Sequence, residues 1–205
     1  MGCCESIMRV FLGTGVAGKN PGGRWRSVGK TPFTMDGKWE RMFRGGARGP
    51  GTGFCAGRVS GLSDSAYWEA TVTSLPAGGA ISLGVSRRPA PDGDSEVLLG
   101  QSKLGDGEKT WGFCTSDGGA AGSVKEGDVI GIALDFTDLP MLFFTSGGDP
   151  LGQGDELAVM RIRGTVYPAV GVAGGAAVSV VFGGEALAHR PPRKCQALVV
   201  GQDMM

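Results

Sequence analysis

Short runs of alternating hydrophobic and polar or small residues dominate the chain from about residue 52 onward. A two-residue period is typical of β-strands that bury one face. The hydrophobic residues that share a face within each run are Trp68, Ala70 and Val72; Ile81, Leu83 and Val85; Ile130, Ile132, Leu134 and Phe136; Leu142 and Phe144; and Val178, Val180 and Phe182. The pattern predicts an antiparallel β-sandwich whose two inner faces form the core.

Glycine-rich turn signals separate these runs. They are Ala77-Gly78-Gly79, Asp117-Gly118-Gly119, Glu126-Gly127-Asp128 and Ser146-Gly147-Gly148-Asp149. The 205 residues include 39 Gly and 11 Pro, without the three-residue glycine period of collagen. Because each interior Gly costs a helix roughly 1 kcal/mol relative to Ala, long helices are not expected. The sequence therefore predicts an all-β domain with irregular ends.

Charge is balanced over the whole chain but not along it. Residues 1–50 contain nine Lys or Arg and three acids, a net charge of +6, and the rest of the chain carries −6. A basic arm on an acidic body is typical of a protein whose one end meets a polyanion. A net charge of zero gives no broad electrostatic footprint for nucleic acid, so no nucleic-acid partner is expected.

The amino terminus carries a candidate lipidation signal. Met1-Gly2-Cys3-Cys4-Glu5-Ser6 fits the M-G-x-x-x-[ST] pattern of N-myristoylation at Gly2, with Cys3 and Cys4 adjacent for S-palmitoylation. One myristoyl chain binds a bilayer only marginally, with K of about 10⁴ M⁻¹, whereas a second acyl chain makes the anchoring stable. Two inert thiols after a chance start are the alternative interpretation. The carboxyl terminus has no prenylation cysteine, and the start lacks the apolar core of a secretory signal.

A glycine cluster, Gly13–Lys19, matches both G-x-G-x-x-G and G-x-x-x-x-G-K. Both phosphate-binding mechanisms need a helix directly afterwards, because the free N–H groups of its first turn hold the anion. Asn20-Pro21-Gly22-Gly23 follows instead, and this segment prevents a helix from propagating. A flexible spacer is therefore the preferred interpretation, and a nucleotide-binding enzyme is the weakest of the functional alternatives.

Residue types suited to catalysis or metal binding are sparse. The five cysteines include no C-x-x-C pair, which argues against a zinc ribbon and favours a reducing, intracellular compartment. The one histidine, His189, follows the strand runs beside Pro191-Pro192 and is expected to be a solvated tail residue. Acids lie at turns, where Asp makes local hydrogen bonds. We expect no catalytic residue, no metal, no cofactor and no small-molecule substrate.

The order of the strand runs resembles the SPRY domain, the core of B30.2 modules. Six blocks carry the resemblance over roughly residues 54–184. They are Tyr67-Trp68-Glu69-Ala70-Thr71-Val72; Ile81-Ser82-Leu83-Gly84-Val85; Leu98-Leu99-Gly100 with Lys109-Thr110-Trp111-Gly112-Phe113; the stretch from Gly127 to Phe136; Leu142-Phe143-Phe144-Thr145-Ser146-Gly147; and Tyr167-Pro168-Ala169-Val170 with Val178-Ser179-Val180-Val181-Phe182-Gly183. The resemblance implies a bent antiparallel β-sandwich. Trp68 and Trp111, which lie in strand blocks, are expected to fill its core.

The resemblance also sets the expected domain boundaries. Residues 1–24 form an acylated, basic, glycine-rich arm, and residues 25–53 form an extension that packs on the sandwich through Trp25 and Trp39. Residues 54–186 form the sandwich, and residues 187–205 form a carboxyl-terminal tail.

Family members generally bind protein partners through loops at one edge of the sandwich and are not enzymes. The resemblance places the partner-binding residues in two segments, residues 87–95 and 173–176; they are Arg87, Arg88, Asp92, Asp94, Ser95, Gly174 and Gly175. Adjacent guanidinium groups can form paired hydrogen bonds with carboxylates. Some peptide-binding members have Trp where this chain has Gly174, and an aromatic residue there would anchor a peptide. An uncommitted surface loop is the alternative for both segments.

The sequence thus predicts a non-catalytic adaptor that binds a protein or peptide. Its acyl chains and basic arm are expected to hold it on the cytoplasmic face of a membrane, either the plasma membrane or a ciliary or flagellar membrane. Otherwise the expected location is the cytoplasm. The alternative is a structural subunit of a large assembly, such as a ciliary or flagellar complex, in which the basic arm threads between neighbours.

Overall fold

A computed structural model shows a chain built from β-strands and tight turns. The residues that the structure describes are 25–28, 33–35, 42–45, 51–55, 65–86, 110–152, 157–160, 162, 164, 166–182 and 187–198. In this part of the chain, the only helical elements are two short 3-10 turns, Thr115–Asp117 and Ala121–Ser123. None of the described helices is long or apolar enough to cross a membrane.

The strands form two antiparallel sheets. Those of the first sheet are β1 (Trp25–Val28), β4 (Gly51–Cys55), β6 (Ala80–Ser86), β7 (Thr110–Cys114) and β12 (Tyr167–Ala173). Those of the second sheet are β2 (Phe33–Met35), β3 (Met42–Gly45), β5 (Ser65–Ser74), β8 (Val129–Asp135), β9 (Met141–Ser146), β10 (Asp149–Pro150), β11 (Val159–Met160) and β13 (Ala177–Val181).

The first four strands lie at one border of each sheet, beside later strands. The first sheet runs β1-β4-β12-β6-β7, and the second runs β10-β9-β8-β5-β13-β3-β2. Strand β11 pairs with residues 141–142 of β9, on the same edge of β9 as β10 and opposite β8. Strand β4 pairs with β12, and β3 pairs with β13. The extension assigned to residues 25–53 therefore contributes strands to both sheets, and β4 continues through the expected boundary at residue 54 to Cys55.

The core lies between the two sheets and consists of the alternating residues. Trp68, Ile81 and Ile132 are among its largest side chains, each at most 1% exposed. Of the predicted inner-face residues, only Phe136 and Phe182 are partly buried, because each lies just after a strand ends. Phe113 and Phe144 pack edge to face, with ring centroids 4.7 Å apart. The predicted all-β antiparallel sandwich is confirmed.

The two strand tryptophans differ in burial. Trp68 is fully inside the core, as expected, while Trp111 is partly buried and packs against the core from its border. The difference follows from the sheets, since β5 is flanked by β8 and β13, whereas β7 is the last strand of its sheet.

The carboxyl-terminal segment crosses Glu69 on the outer face of the second sheet at residues 188–189 and then pairs with β5 at residues 196–198. The main-chain N–H of Tyr67 donates to the Gln196 carbonyl at 2.7 Å, and the N–H of Leu198 donates to the Tyr67 carbonyl at 2.7 Å. These bonds form a parallel bridge between Tyr67 and Ala197. The segment thus extends the pairing of β5 beyond the point where β13 ends, and it covers residues that alternate away from the core.

Candidate functional site

One end of the sandwich gathers three turns, at residues 75–79, 125–128 and 173–176, which we call the turn end. The carboxylate of Glu126 accepts a hydrogen bond from the Leu75 N–H at 3.2 Å. The Gly127 N–H donates to the Val72 carbonyl at 2.8 Å. These bonds hold the second turn against the first. Pro76, Ala77, Lys125, Glu126 and Gly174 are exposed there, so the turn end presents backbone, short side chains and two opposite charges to solvent.

Gly174 adopts a conformation that a side chain would not tolerate. Its φ is +60°, and a Cβ atom built on it would lie 2.5 Å from the carbonyl oxygen of Gly78. The β12–β13 turn therefore packs backbone to backbone on the β5–β6 turn. The Trp that some peptide-binding SPRY domains carry at this position would collide with Gly78, so this surface has a flat glycine contact in place of an aromatic anchor.

The two segments assigned to partner binding start from different ends of the first sheet. Ser86, which directly precedes Arg87, pairs with Tyr167 at the beginning of β12. Ala173, which directly precedes Gly174, pairs with Ala80 at the beginning of β6. The expected residues Arg87, Arg88, Asp92, Asp94 and Ser95 lie outside the described residues, and their role stays a prediction. Of the set, the structure describes Gly174 and Gly175.

A second constellation lies on the outer face of the second sheet, around Glu69. This carboxylate is 3% exposed. Its Oε2 accepts the Ala188 N–H at 2.6 Å, and its Oε1 accepts the His189 N–H at 2.8 Å and the Tyr67 hydroxyl at 3.0 Å. The His189 Nδ1 lies 3.3 Å from the same Oε1. A buried carboxylate is tolerated only when its lone pairs are filled, and here main-chain donors fill them.

Gly131 makes room for this polar cluster. It pairs with Glu69 on β5 and with Thr145 on β9, so the three residues share one face. A Cβ at Gly131 would lie 2.3 Å from both the Tyr67 hydroxyl and the Thr145 Oγ1. The Tyr67 ring thus lies flat across the glycine. Burial raises the pKa of Tyr67 to about 12, and the nearby Glu69 carboxylate adds to the rise.

The structure corrects the expectation for His189, which is not a solvated tail residue. Its side chain is 28% exposed, contacts Glu69, and packs against Gly148, where a Cβ would lie 3.1 Å from the imidazole Cδ2. Sequence reasoning missed Glu69 because a polar residue alternating with Trp68 and Ala70 has the pattern of an exposed strand face. Its partners lie about 120 positions away, so no local signal connects them.

The described residues offer little for chemistry. No group of three His, Cys, Asp or Glu side chains among them could hold a metal ion. Burial raises the pKa of Cys195 to about 11, and the charge of Asp135 adds to the rise, so this thiol is a poor nucleophile at neutral pH. The lipidation residues Gly2, Cys3 and Cys4 and the glycine cluster Gly13–Lys19 lie outside the described residues.

Comparison with known families tests the resemblance to the SPRY domain that the strand blocks indicate. Residues 65–185, more than half of the chain, match the SPRY domain. The chain belongs to the SPRY domain family. This confirms the family resemblance and the β-sandwich fold. SPRY domains are generally protein-interaction modules, and family membership suggests this coarse function for the chain.

Solved structures of SPRY domains are similar to the chain. The SPRY domain of human HERC1 has 17% sequence identity and a TM-score of 0.49, covering 71% of this chain and 91% of that one. A second human SPRY domain has 17% identity and a TM-score of 0.46, covering 75% of this chain and 97% of that one. No curated protein is significantly similar to the chain.

Proposed function

We propose that this SPRY protein is a non-catalytic adaptor that binds a protein partner through two segments of its sandwich, the turn end and the loop after β6, which start from opposite ends of the first sheet. Family membership carries the proposal, since SPRY domains generally act as protein-interaction modules. The turn end supports it physically. Three turns are fixed against one another, so their exposed backbone groups are already ordered, and little conformational entropy is lost when a partner binds.

The proposed partner contacts are Gly174 and Gly175 at the turn end and Arg87, Arg88, Asp92, Asp94 and Ser95 in the loop after β6. Paired arginines favour a partner that presents carboxylates. The absence of an aromatic residue at Gly174 favours a partner segment that lies flat on the turn and hydrogen-bonds its backbone.

The second part of the proposal concerns the subcellular location of the protein. Acylation of Gly2, Cys3 and Cys4 would tether the protein to the cytoplasmic face of a membrane, and the basic residues of the arm would add electrostatic attraction. Tethering raises the effective concentration of the sandwich near membrane-associated partners. The support is the sequence pattern itself, with two adjacent cysteines directly after Gly2.

Proximity labelling of the intact protein in cells tests both parts together. Wild type is compared with Gly2→Ala, with Arg87→Glu/Arg88→Glu and with Ala77→Arg, which adds a bulky charge at the turn end. Pro150→Arg is the matched control, because Pro150 is exposed on β10 at the border of the second sheet, outside both proposed segments. We expect Gly2→Ala to lose membrane neighbours, and the arginine and Ala77 variants to lose specific protein neighbours while staying at the membrane.

The outcomes separate the alternatives. Unchanged neighbours in Gly2→Ala, with the protein held in a large assembly, would favour the structural-subunit function over membrane tethering. Unchanged protein neighbours in both Arg87→Glu/Arg88→Glu and Ala77→Arg would contradict partner binding through the loop after β6 and the turn end. A clear increase in melting temperature with ATP or NAD would revive the nucleotide-binding alternative.

A further inference from the structure

The carboxyl-terminal tail forms a cationic loop that the sandwich function does not use. The tail loop, residues 190–195, is Arg190-Pro191-Pro192-Arg193-Lys194-Cys195. Its six residues line a concavity of about 590 Å³. Arg190, Arg193 and Lys194 are all exposed, so three cationic groups border one shallow depression.

The tail loop is held at both ends by the same strand. Ala188 and His189 donate their main-chain N–H groups to the buried Glu69 carboxylate. Gln196 and Leu198 hydrogen-bond the backbone of Tyr67, two residues away on β5. Within the loop, the Cys195 N–H donates to the Pro192 carbonyl at 2.9 Å. The two prolines further restrict the backbone, so the cations are presented on a fixed frame.

The guanidinium groups of the tail loop have no anionic partner among the described residues. Among the residues that the structure describes, neither Arg190 nor Arg193 forms an ion pair. Lys194 lies 3.8 Å from the Asp138 carboxylate, but these side chains are 60% and 95% exposed, so the pair contributes little. Three cations within six residues, with only one weak internal contact, are available to a ligand.

The surroundings favour a carboxylate-bearing peptide over a more highly charged ligand. Asp138 lies beside Lys194, and the charge of Asp135 acts on Cys195, so two acids are near the cations. These acids would repel a phosphate dianion or a densely anionic membrane surface more strongly than single carboxylates. Leu139, next to Asp138 in the sequence, is 48% exposed and offers an apolar side chain on that flank. An arginine guanidinium group can donate two parallel hydrogen bonds to one carboxylate, in a shared plane.

We propose that the tail loop is a second docking site, which binds an acidic peptide segment containing at least two Asp or Glu residues beside an apolar one. The site lies at the end of β5 away from the turn end, because Asp138 follows β8 at its pairing with Ser65. Like the proposed function, this docking site requires that the chain binds polypeptides. It uses the tail loop, and not the turn end or the loop after β6.

A displayed library of random seven-residue peptides, selected on the full-length chain, provides the test. We expect wild type to enrich acidic peptides and Arg190→Gln/Arg193→Gln to lose that enrichment. For the strongest enriched peptide, fluorescence anisotropy should show about tenfold weaker binding to the double variant, since charge-assisted hydrogen bonds are removed. Asp138→Asn should bind it more tightly, because a competing carboxylate is gone. Lys125→Gln removes an exposed lysine at the turn end, and loss of the acidic peptides in this variant alone would place their binding at the turn end and reject the tail loop.

Several outcomes would overturn the docking site. They are a lack of acidic enrichment, or acidic peptides that bind the double variant as well as wild type. If the enrichment of acidic peptides is lost only in Arg87→Gln/Arg88→Gln, their binding site is the loop after β6 and not the tail loop. Binding of phosphatidylserine vesicles or inorganic phosphate that depends on Arg190 and Arg193, without peptide enrichment, would also reject it. Equal melting temperatures of wild type and Arg190→Gln/Arg193→Gln show that a difference in peptide affinity does not come from a loss of fold stability.

Discussion

The carboxylate of Glu69 accepts a hydrogen bond from the main-chain N–H of His189 at 2.8 Å, across 120 positions of sequence. Together with the Ala188 N–H at 2.6 Å, this contact fixes the start of the tail on the outer face of the second sheet. The partners are backbone groups, so the carboxylate recognises the path of the tail and not a particular side chain. Residues 188–198 of the tail are therefore part of the folded sandwich.

Glu69→Gln is expected to destabilise the fold more than His189→Ala. The amide offers one acceptor oxygen to two main-chain N–H donors, and an unsatisfied buried donor costs about 1–3 kcal/mol. His189→Ala retains both main-chain bonds and removes only the imidazole contact. The free energy of unfolding in urea measures both variants, and limited proteolysis after residue 187 reports tail release. A larger loss in His189→Ala would show that the imidazole, and not the backbone, holds the tail.

Gly174→Ala is expected to cost more than Gly147→Ala. Both glycines have nearly the same positive φ, +60° and +61°, so each substitution carries a backbone penalty of roughly 1–2 kcal/mol. Of the two, Gly174 has a neighbour in the way, the Gly78 carbonyl 2.5 Å from the new Cβ, whereas nothing lies within 4 Å at Gly147. The difference between their melting temperatures isolates the contact between the two turns. Equal losses would mean that the turns separate without cost.

Tyr67 is expected to make the fold sensitive to alkaline pH. Its pKa rises from 10.0 to about 12 in the folded protein, chiefly through burial, so the folded state keeps a proton that the unfolded state loses. The stabilisation is complete below pH 10 and is lost as the pH rises toward 12. Urea unfolding at increasing pH should show a steeper decline above pH 10 for wild type than for Tyr67→Phe. Parallel curves would indicate that Tyr67 titrates like an exposed phenol.

Cys195 is expected to resist alkylation. Burial and the Asp135 charge raise the pKa of its thiol from 9.0 to about 11, which leaves about a hundredfold less thiolate at pH 8 than an ordinary cysteine has. Mass spectrometry of the Cys195 peptide after brief iodoacetamide treatment measures the rate. Asp135→Asn removes the smaller of the two causes and should raise the rate severalfold. Rapid labelling of the wild-type protein at pH 8 would contradict the burial of this thiol.

The predictable part of this protein comes from local periodicity. Trp68, Ile81 and Ile132 are buried because each belongs to a run in which every second residue is apolar, and such runs form strands with one inner face. The turns at Gly78, Gly118 and Gly147 follow from glycine itself, since all three have positive φ. The order of the strand runs was also sufficient to indicate the SPRY family.

Contacts between distant segments depended on the tertiary structure. The alternation around Glu69 is that of a solvated strand face, yet the tail covers it, and hydrogen bonds from residues near 188 have no counterpart in local sequence. Periodicity did not predict the strands before residue 56 because each has only three to five residues. The pairing of β4 with β12 and of β3 with β13 is a property of the assembled sheets. Sequence determines which faces are apolar, because that is a property of neighbouring side chains. Only the folded chain decides what covers the other faces, because that depends on where distant backbone finds hydrogen-bond partners.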